Sequence, residues 1–161
     1  MKLSSSLLLI VMFAANCVHA ALGADSISSM GQQSATGCVL RIHVDGLRNS
    51  AGVVGAAIFK SADGWPEDMS KSFRHWPTPI ATGAHEATAV MENLSPGDYG
   101  LVVIHDENGN QKMDRNFFGI PKEGFGFANN PHVGLSAAPF SASIVHVGCP
   151  VTETKIHLIY K

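Results

Sequence analysis

Residues 38–45 alternate strictly between apolar and polar side chains, and this pattern most constrains what the chain can fold into. The apolar members are Cys38, Leu40, Ile42 and Val44. Apolar residues at every second position lie on one face of an extended chain, and the polar residues between them face water. The pattern predicts a half-buried β-strand with one wet side.

Further short stretches of strand character follow, with turn residues between them. They are residues 53–60, 86–94, 99–104, 142–149 and 154–160. Residues 99–104 carry bulky apolar side chains on both faces, which is typical of a central strand covered on each side. Residues 67–75 predict a short helical excursion, and residues 105–130 a long ordered loop. With no strong amphipathic helix, the sequence predicts an all-β fold, a single antiparallel β-sandwich.

The first twenty residues have the three parts of a signal peptide. Lys2 is followed by an apolar run over residues 7–15 and by the small-residue cleavage site ending at Ala20. The run is shorter than the roughly 20 residues that span a bilayer, and no later stretch qualifies. We therefore expect a signal peptide over 1–20, a flexible tail over 21–36 and one β-sandwich domain over 37–161. The expected product is periplasmic or secreted, without membrane insertion.

The charge balance and the cysteines limit the partners and the covalent structure. Thirteen acidic residues against eleven basic ones argue against a nucleic-acid partner or an anionic membrane surface. Cleavage after Ala20 would leave only Cys38 and Cys149, and an oxidising compartment favours a disulfide between them. The alternative is two separately buried thiols.

Oxygen-bearing side chains recur with regular spacing just after the central strand. Asp106, Asn108 and Asn110 lie two residues apart, Asp114 follows four residues later, and the Lys112 carbonyl lies between. These match positions one, three, five, seven and nine of an EF-hand-like loop, so the spacing predicts a weak Ca²⁺ site.

Two residues depart from that calcium-binding pattern. Gln111 replaces the glycine that makes the sharp turn, and Phe117 stands where the bidentate glutamate belongs. The alternative is an asparagine-rich turn whose side chains bond their own backbone. Both interpretations stay open at the level of the sequence.

Two groups of side chains in residues 105–130 are candidates for chemistry or binding. His105, Asp106 and Glu123 could form an acid–base site, which would make the protein a hydrolase-like enzyme. The other candidate is an aromatic surface for a ligand, and its members are Phe117, Phe118, Phe125 and Phe127. A small satellite core that pins the loop is the alternative to that surface. The chain contains no serine-hydrolase, phosphate-loop or zinc-protease motif, which favours a non-catalytic module.

Several motifs together resemble one family. They are Leu94-Ser-Pro-Gly-Asp-Tyr99, His105-Asp-Glu-Asn-Gly-Asn110, Lys112-Met-Asp114 and Asn116-Phe-Phe-Gly-Ile-Pro-Lys-Glu-Gly124. The chain resembles the exported bacterial proteins known as domain of unknown function 2141. The resemblance covers roughly residues 38–160, and Gln111 departs from it where the family tends to have glycine.

The resemblance implies an immunoglobulin-like or prealbumin-like sandwich, similar to transthyretin-like and carboxypeptidase-regulatory-like modules. It implies no activity, substrate or catalytic residue. Together with the motifs, it leads us to expect an exported, non-catalytic module. The module would bind a small molecule, a glycan or a protein through residues 105–130, with calcium ordering the loop. The hydrolase-like enzyme is the alternative.

Overall fold

The computed structural model describes residues 37–134 and 136–161, and the predicted signal peptide and tail lie outside them. The described residues form eight strands and two single turns of 3₁₀ helix, so the fold is all-β. The strands are β1 (Cys38–Asp45), β2 (Val53–Phe59), β3 (Arg74–Pro79), β4 (Glu86–Leu94), β5 (Gly97–Asp106), β6 (Gly124–Phe127), β7 (Ile144–Val147) and β8 (Val151–His157). In this part of the chain, no helix has the length and apolar character that crossing a membrane requires.

The strands form two sheets. One has the order β4-β1-β8, and the other the order β3-β2-β5-β6 with β7 also paired to β5. Five of the six strand pairs are antiparallel, as predicted, but β1 and β8 run parallel. That part of the prediction is wrong, because the chain crosses from β7 in one sheet to β8 in the other and arrives beside β1 in the same direction.

The main core lies between the two sheets. The predicted apolar face of β1 is confirmed, because Cys38, Leu40, Ile42 and Val44 are all at most 1% exposed. Ala89 and Met91 of β4 and Leu101 and Val103 of β5 complete the same cluster. Alternating residues of the strands therefore fill the space between the layers, as their period of two predicts.

A second apolar cluster covers the outward face of the five-stranded sheet. Its buried members include Phe59, Val102, Phe125 and Phe127, and Trp65 packs against them. The prediction that β5 is covered on both faces is confirmed by these two clusters. Loops rather than a third sheet supply the outer cover, and this arrangement determines the shape of the candidate site.

Two predicted loop regions contain more regular structure than expected. The helical excursion over 67–75 is reduced to the turn Met69–Lys71, and β3 begins directly after it. The predicted long loop over 105–130 contains β6. β3 was not predicted because the strand contains two prolines, which are tolerated in an edge strand but not in a central one.

The predicted Cys38–Cys149 disulfide is confirmed. It joins the first residue of β1 to the segment just before β8, with the two Cα atoms 4.5 Å apart. The bridge therefore ties the two strands that pair in parallel, at the end where both begin.

Candidate functional site

The outward face of the five-stranded sheet contains a groove with an apolar floor. Two rows of cross-strand neighbours form the floor, each running from β3 through β2 and β5 to β6. One row is Pro77, Gly55, Ile104 and Phe125, and the other is His75, Ala57, Val102 and Phe127. The groove holds about 720 Å³, within the roughly 300–1,000 Å³ of sites that bind small molecules.

The depression exists because β2 presents small residues on its outward face. Gly55 and Ala57 lie in the middle of the two rows, between bulkier neighbours. A Cβ atom at Gly55 would lie 3.2 Å from Cγ1 of Ile104. A larger side chain at Gly55 would therefore fill the groove, and the absence of one leaves it open.

Two loops form most of the walls of the groove, and residues 133–134 and 136–137 add to them. The first loop contributes Pro66, Glu67 and Met69, and the second contributes residues 111–113, Arg115 and residues 118–121. Arg115 connects the walls, because its guanidinium pairs with the Glu67 carboxylate and also donates to the Gly119 carbonyl at 2.9 Å. The second wall belongs to the loop that the sequence identified as the candidate binding region.

The acidic turn between β5 and the groove wall is closed by its own hydrogen bonds. Asp106 is buried, and its two carboxylate oxygens accept the backbone N–H groups of Asn110 at 3.1 Å and Gln111 at 2.7 Å. Gln111 has a φ of 62°, so the turn that the calcium-binding pattern assigns to glycine is made here by a glutamine. Asp106 acts as a cap on this turn.

The two asparagines of the predicted calcium loop bond in the same local way. The amide nitrogens of Asn108 and Asn110 donate to the Asp114 carboxylate at 2.7 and 3.1 Å. Their amide oxygens accept backbone N–H groups, from Asn110 at 3.0 Å and from Lys112 at 2.8 Å. Among residues 37–134 and 136–161, no three His, Cys, Asp or Glu side chains form a group that could hold a metal. The geometry matches an asparagine-rich turn, and the Ca²⁺ site stays a prediction.

Glu123 is buried beneath this turn. One carboxylate oxygen accepts the Asp114 N–H at 3.2 Å, and the other has no hydrogen-bond partner among the described residues. Burial raises the pKa of the Glu123 carboxyl, and the nearby charges of Asp106 and Asp114 raise it further. Glu123 therefore holds the base of the loop rather than facing the groove.

His105 lies on the opposite side of the sheet from the groove. It precedes Asp106 directly in β5, and successive strand residues point to opposite faces. The ring is fully buried, with Nε2 donating to the Ala51 carbonyl at 2.8 Å and Nδ1 accepting from the Tyr160 hydroxyl at 2.7 Å. The structure therefore brings Asp106 and Glu123 close together but leaves His105 outside any cleft they share.

The four candidate phenylalanines divide into two pairs. Phe125 and Phe127 are buried in the outer cluster and form part of the groove floor. Phe117 and Phe118 are exposed at the tip of the groove wall, and only Phe118 lines the groove. The satellite core is thus made by one pair and the exposed aromatic surface by the other.

Several groove residues were not singled out in the sequence. Gly55, Ala57 and His75 come from β2 and β3, and their position depends on which strands become neighbours. Trp65 donates from its indole N–H to the Ala138 carbonyl at 2.9 Å and packs against Phe127. The available signal was the pair of small residues Gly55 and Ala57 on the same face of β2.

Comparison with known proteins identifies a family. A family model described as "Uncharacterized protein conserved in bacteria (DUF2141)" matches residues 42–155, from β1 to β8. No curated protein and no solved structure matches the chain. The matched segment contains the groove floor, both groove walls and the acidic turn. On this match, the chain belongs to the DUF2141 family of bacterial proteins.

Proposed function

We propose that this protein is a non-catalytic binding module that takes an apolar small molecule into the groove on its five-stranded sheet. The observation that carries the proposal is the open, apolar floor made by Gly55 and Ala57 between bulkier neighbours. A flexible methionine lies in each wall, Met69 and Met113, and unbranched thioether side chains adapt to ligands of different shape. The ligand would displace water from apolar surface, which is the main source of affinity in such a site.

A glycan fits this groove less well than an apolar molecule. Sugar hydroxyls need several polar partners, but the floor rows offer one polar side chain, His75. Of the charged residues that line the groove, Glu67 is paired with Arg115, Asp106 accepts backbone N–H groups, and Lys161 donates to a backbone carbonyl. That leaves Lys112 as the one charged side chain in the described lining without such a partner. The hydrolase alternative has no supporting observation, because His105 faces the other side of the sheet.

The setting that we propose for this module is outside the cytoplasm. The signal-peptide pattern over residues 1–20 supports export, and the Cys38–Cys149 bridge is of the kind that persists in oxidising compartments. The two-sheet architecture supports a transthyretin-like or immunoglobulin-like sandwich as the finer fold, although the parallel β1–β8 pair departs from the purely antiparallel version.

A fluorescent probe tests the groove directly. We expect the neutral probe phenylnaphthylamine to bind the purified mature protein with a rise in fluorescence. Gly55→Leu should weaken binding at least roughly tenfold, the factor that about 1.4 kcal/mol produces, because the new side chain occupies the groove. Ala57→Ile, on the neighbouring floor row, should also weaken probe binding.

The matched control adds the same kind of bulk elsewhere. Val90→Leu enlarges an exposed apolar side chain on β4, in the other sheet, and should leave probe affinity unchanged. Melting temperature and circular dichroism identify any variant that fails to fold. Equal affinity of wild type and both folded groove variants, or no probe binding by wild type, would refute the proposal.

A further inference from the structure

Residues Asp114–Lys122, here called the aromatic hairpin, form a tight two-stranded projection at the edge of the groove. Arg115 and Pro121 make an antiparallel bridge. The Asn116 N–H donates to the Ile120 carbonyl at 2.9 Å, and the Lys122 N–H donates to the Asp114 carbonyl at 2.8 Å. The aromatic hairpin is therefore held by hydrogen bonds of its own backbone.

A single side chain fixes the tip of the aromatic hairpin. The Asn116 amide oxygen accepts the backbone N–H groups of Phe118 at 2.9 Å and Ile120 at 3.0 Å. The Gly119 N–H donates to the Asn116 carbonyl at 2.9 Å. Because these bonds satisfy the backbone of the turn, the two phenylalanines are displayed in a defined conformation.

The tip carries the two most exposed large apolar side chains of the described residues. Phe117 is 97% exposed and Phe118 is 81% exposed, and their rings contact each other edge to face with centroids 5.5 Å apart. Ile120 beside them is 37% exposed. Exposed apolar groups of this size that are held rigidly together mark a surface that contacts a protein partner or a membrane.

The charges around the tip are predominantly basic. Lys112 precedes the hairpin, and Arg115 and Lys122 lie within it, whereas Asp114 is the only acidic residue from 112 to 122. Asp114 accepts hydrogen bonds from two uncharged asparagine amides. Arg115 is paired with Glu67, but within the described chain Lys112 and Lys122 have no ion-pair partner. This local excess of positive charge contrasts with the net charge of −2 for the whole sequence.

The size of the tip limits what can cover it. A phenylalanine buries roughly 150–250 Å², so two of them bury about half of the roughly 800 Å² that a stable protein interface needs on each partner. A lipid interface requires no complementary partner surface. Aromatic side chains insert at the boundary between headgroups and acyl chains, and basic side chains behind them attract anionic lipids.

We propose that the aromatic hairpin docks peripherally on an anionic lipid surface, with Phe117 and Phe118 inserted at the headgroup level and Lys112 and Lys122 facing the phosphates. The whole-chain charge balance argues against such a surface, but the local charge of this hairpin favours it. The mouth of the groove then lies beside the bilayer, because Phe118 belongs to both the tip and the groove wall.

Vesicle co-sedimentation tests the docking. We expect the mature protein to bind vesicles of equal parts phosphatidylglycerol and phosphatidylcholine, and to bind pure phosphatidylcholine much more weakly. Lys122→Ala should reduce binding to the anionic vesicles about fivefold, the effect expected for one basic residue at such a surface. Phe117→Ser should reduce binding at least roughly fivefold, because one of the two inserted rings is lost.

Neither Phe117 nor Lys122 lines the groove, so both variants should retain the wild-type affinity for phenylnaphthylamine. That measurement also shows that they are folded. Val90→Ser, which removes exposed apolar surface from the other sheet, is the matched control and should bind vesicles like wild type. Three results would overturn the proposal. They are no vesicle binding, equal binding to neutral and anionic vesicles, and a concentration-dependent dimer in sedimentation that Phe117→Ser abolishes.

Discussion

The two outward faces of this sandwich are built on different principles. The three-stranded sheet presents charged residues to water, with Arg41 paired to Glu153 at 2.6 Å and Asp45 paired to Lys155 at 2.8 Å. The five-stranded sheet presents apolar residues, which loops cover everywhere except at the groove. The outer face of the three-stranded sheet is therefore a solvated surface, whereas that of the five-stranded sheet is an apolar cluster that is left open at the groove.

The disulfide belongs to the sheet with the charged face, and its loss should have the largest effect on stability. Closing a loop with a sequence separation of 111 residues stabilises the fold by up to about 4–5 kcal/mol in the chain-entropy account. We expect the double variant Cys38→Ala, Cys149→Ala to lose much of that free energy of unfolding in urea. Under conditions where the variant is folded, its affinity for phenylnaphthylamine should match that of wild type. If the folded variant instead lost probe affinity, the groove would depend on the disulfide in the other sheet, and the two faces would not be independent.

The second prediction concerns the apolar cluster on the outward face of the five-stranded sheet. Phe127 is 3% exposed and packs against Trp65 and Phe125. Phe127→Ala should lower the free energy of unfolding by about 3 kcal/mol and should also weaken probe binding. Val90→Ala, on the outward face of the other sheet, should change stability by no more than about 0.5 kcal/mol. Similar losses for both variants in urea titrations would show that the two faces are equally packed.

The third prediction uses the charged face. Hydrogen bonds from Lys155 and then His157 hold the pKa of the Asp45 carboxyl below its ordinary value of 3.8. A lowered folded-state pKa stabilises the fold above pH 3.8, and this contribution disappears as the pH falls further through the folded-state value. We expect Asp45→Asn to flatten this part of the profile of melting temperature against pH. The change should be smaller than in either variant above, because Lys155 and His157 are exposed.

The smallest expected effect is that of calcium on the acidic turn. Because the asparagine amide oxygens already accept backbone N–H groups, we expect millimolar Ca²⁺ to cause no measurable rise in melting temperature. A site with calcium at about ten times its dissociation constant would instead add about 1.4 kcal/mol, which corresponds to a shift of a few degrees. Such a rise, abolished in the variant Asp106→Ala, Asp114→Ala, would establish the predicted site.

Period-two patterns were enough to predict the strands with one wet face. β1 and β4 have the predicted boundaries, and β1 has the predicted buried face, because each strand has a solvated side that preserves the alternation. β5 was also identifiable, since a run that is apolar on both faces indicates a covered strand. The disulfide was predictable because only two cysteines follow the signal peptide.

The missed strands have compositions that usually exclude a strand. β3 contains Pro77 and Pro79, which only an edge position tolerates. β6 contains Gly126, where a Cβ atom would lie 2.5 Å from Cγ2 of Ile156. Glycine is required there by a close approach between segments far apart in sequence, which no local pattern reveals. The groove depends on the same long-range arrangement, so its floor could not be predicted although one wall was.

The ion pair between Glu67 and Arg115 has a consequence for how long the proposed ligand would remain in the groove. It is the side-chain contact that joins the two walls of the groove, and both partners are exposed to solvent. Exposed ion pairs contribute at most about 1 kcal/mol and weaken as salt is added. The walls can therefore separate at little cost, so a bound molecule would dissociate quickly, and faster still in concentrated salt.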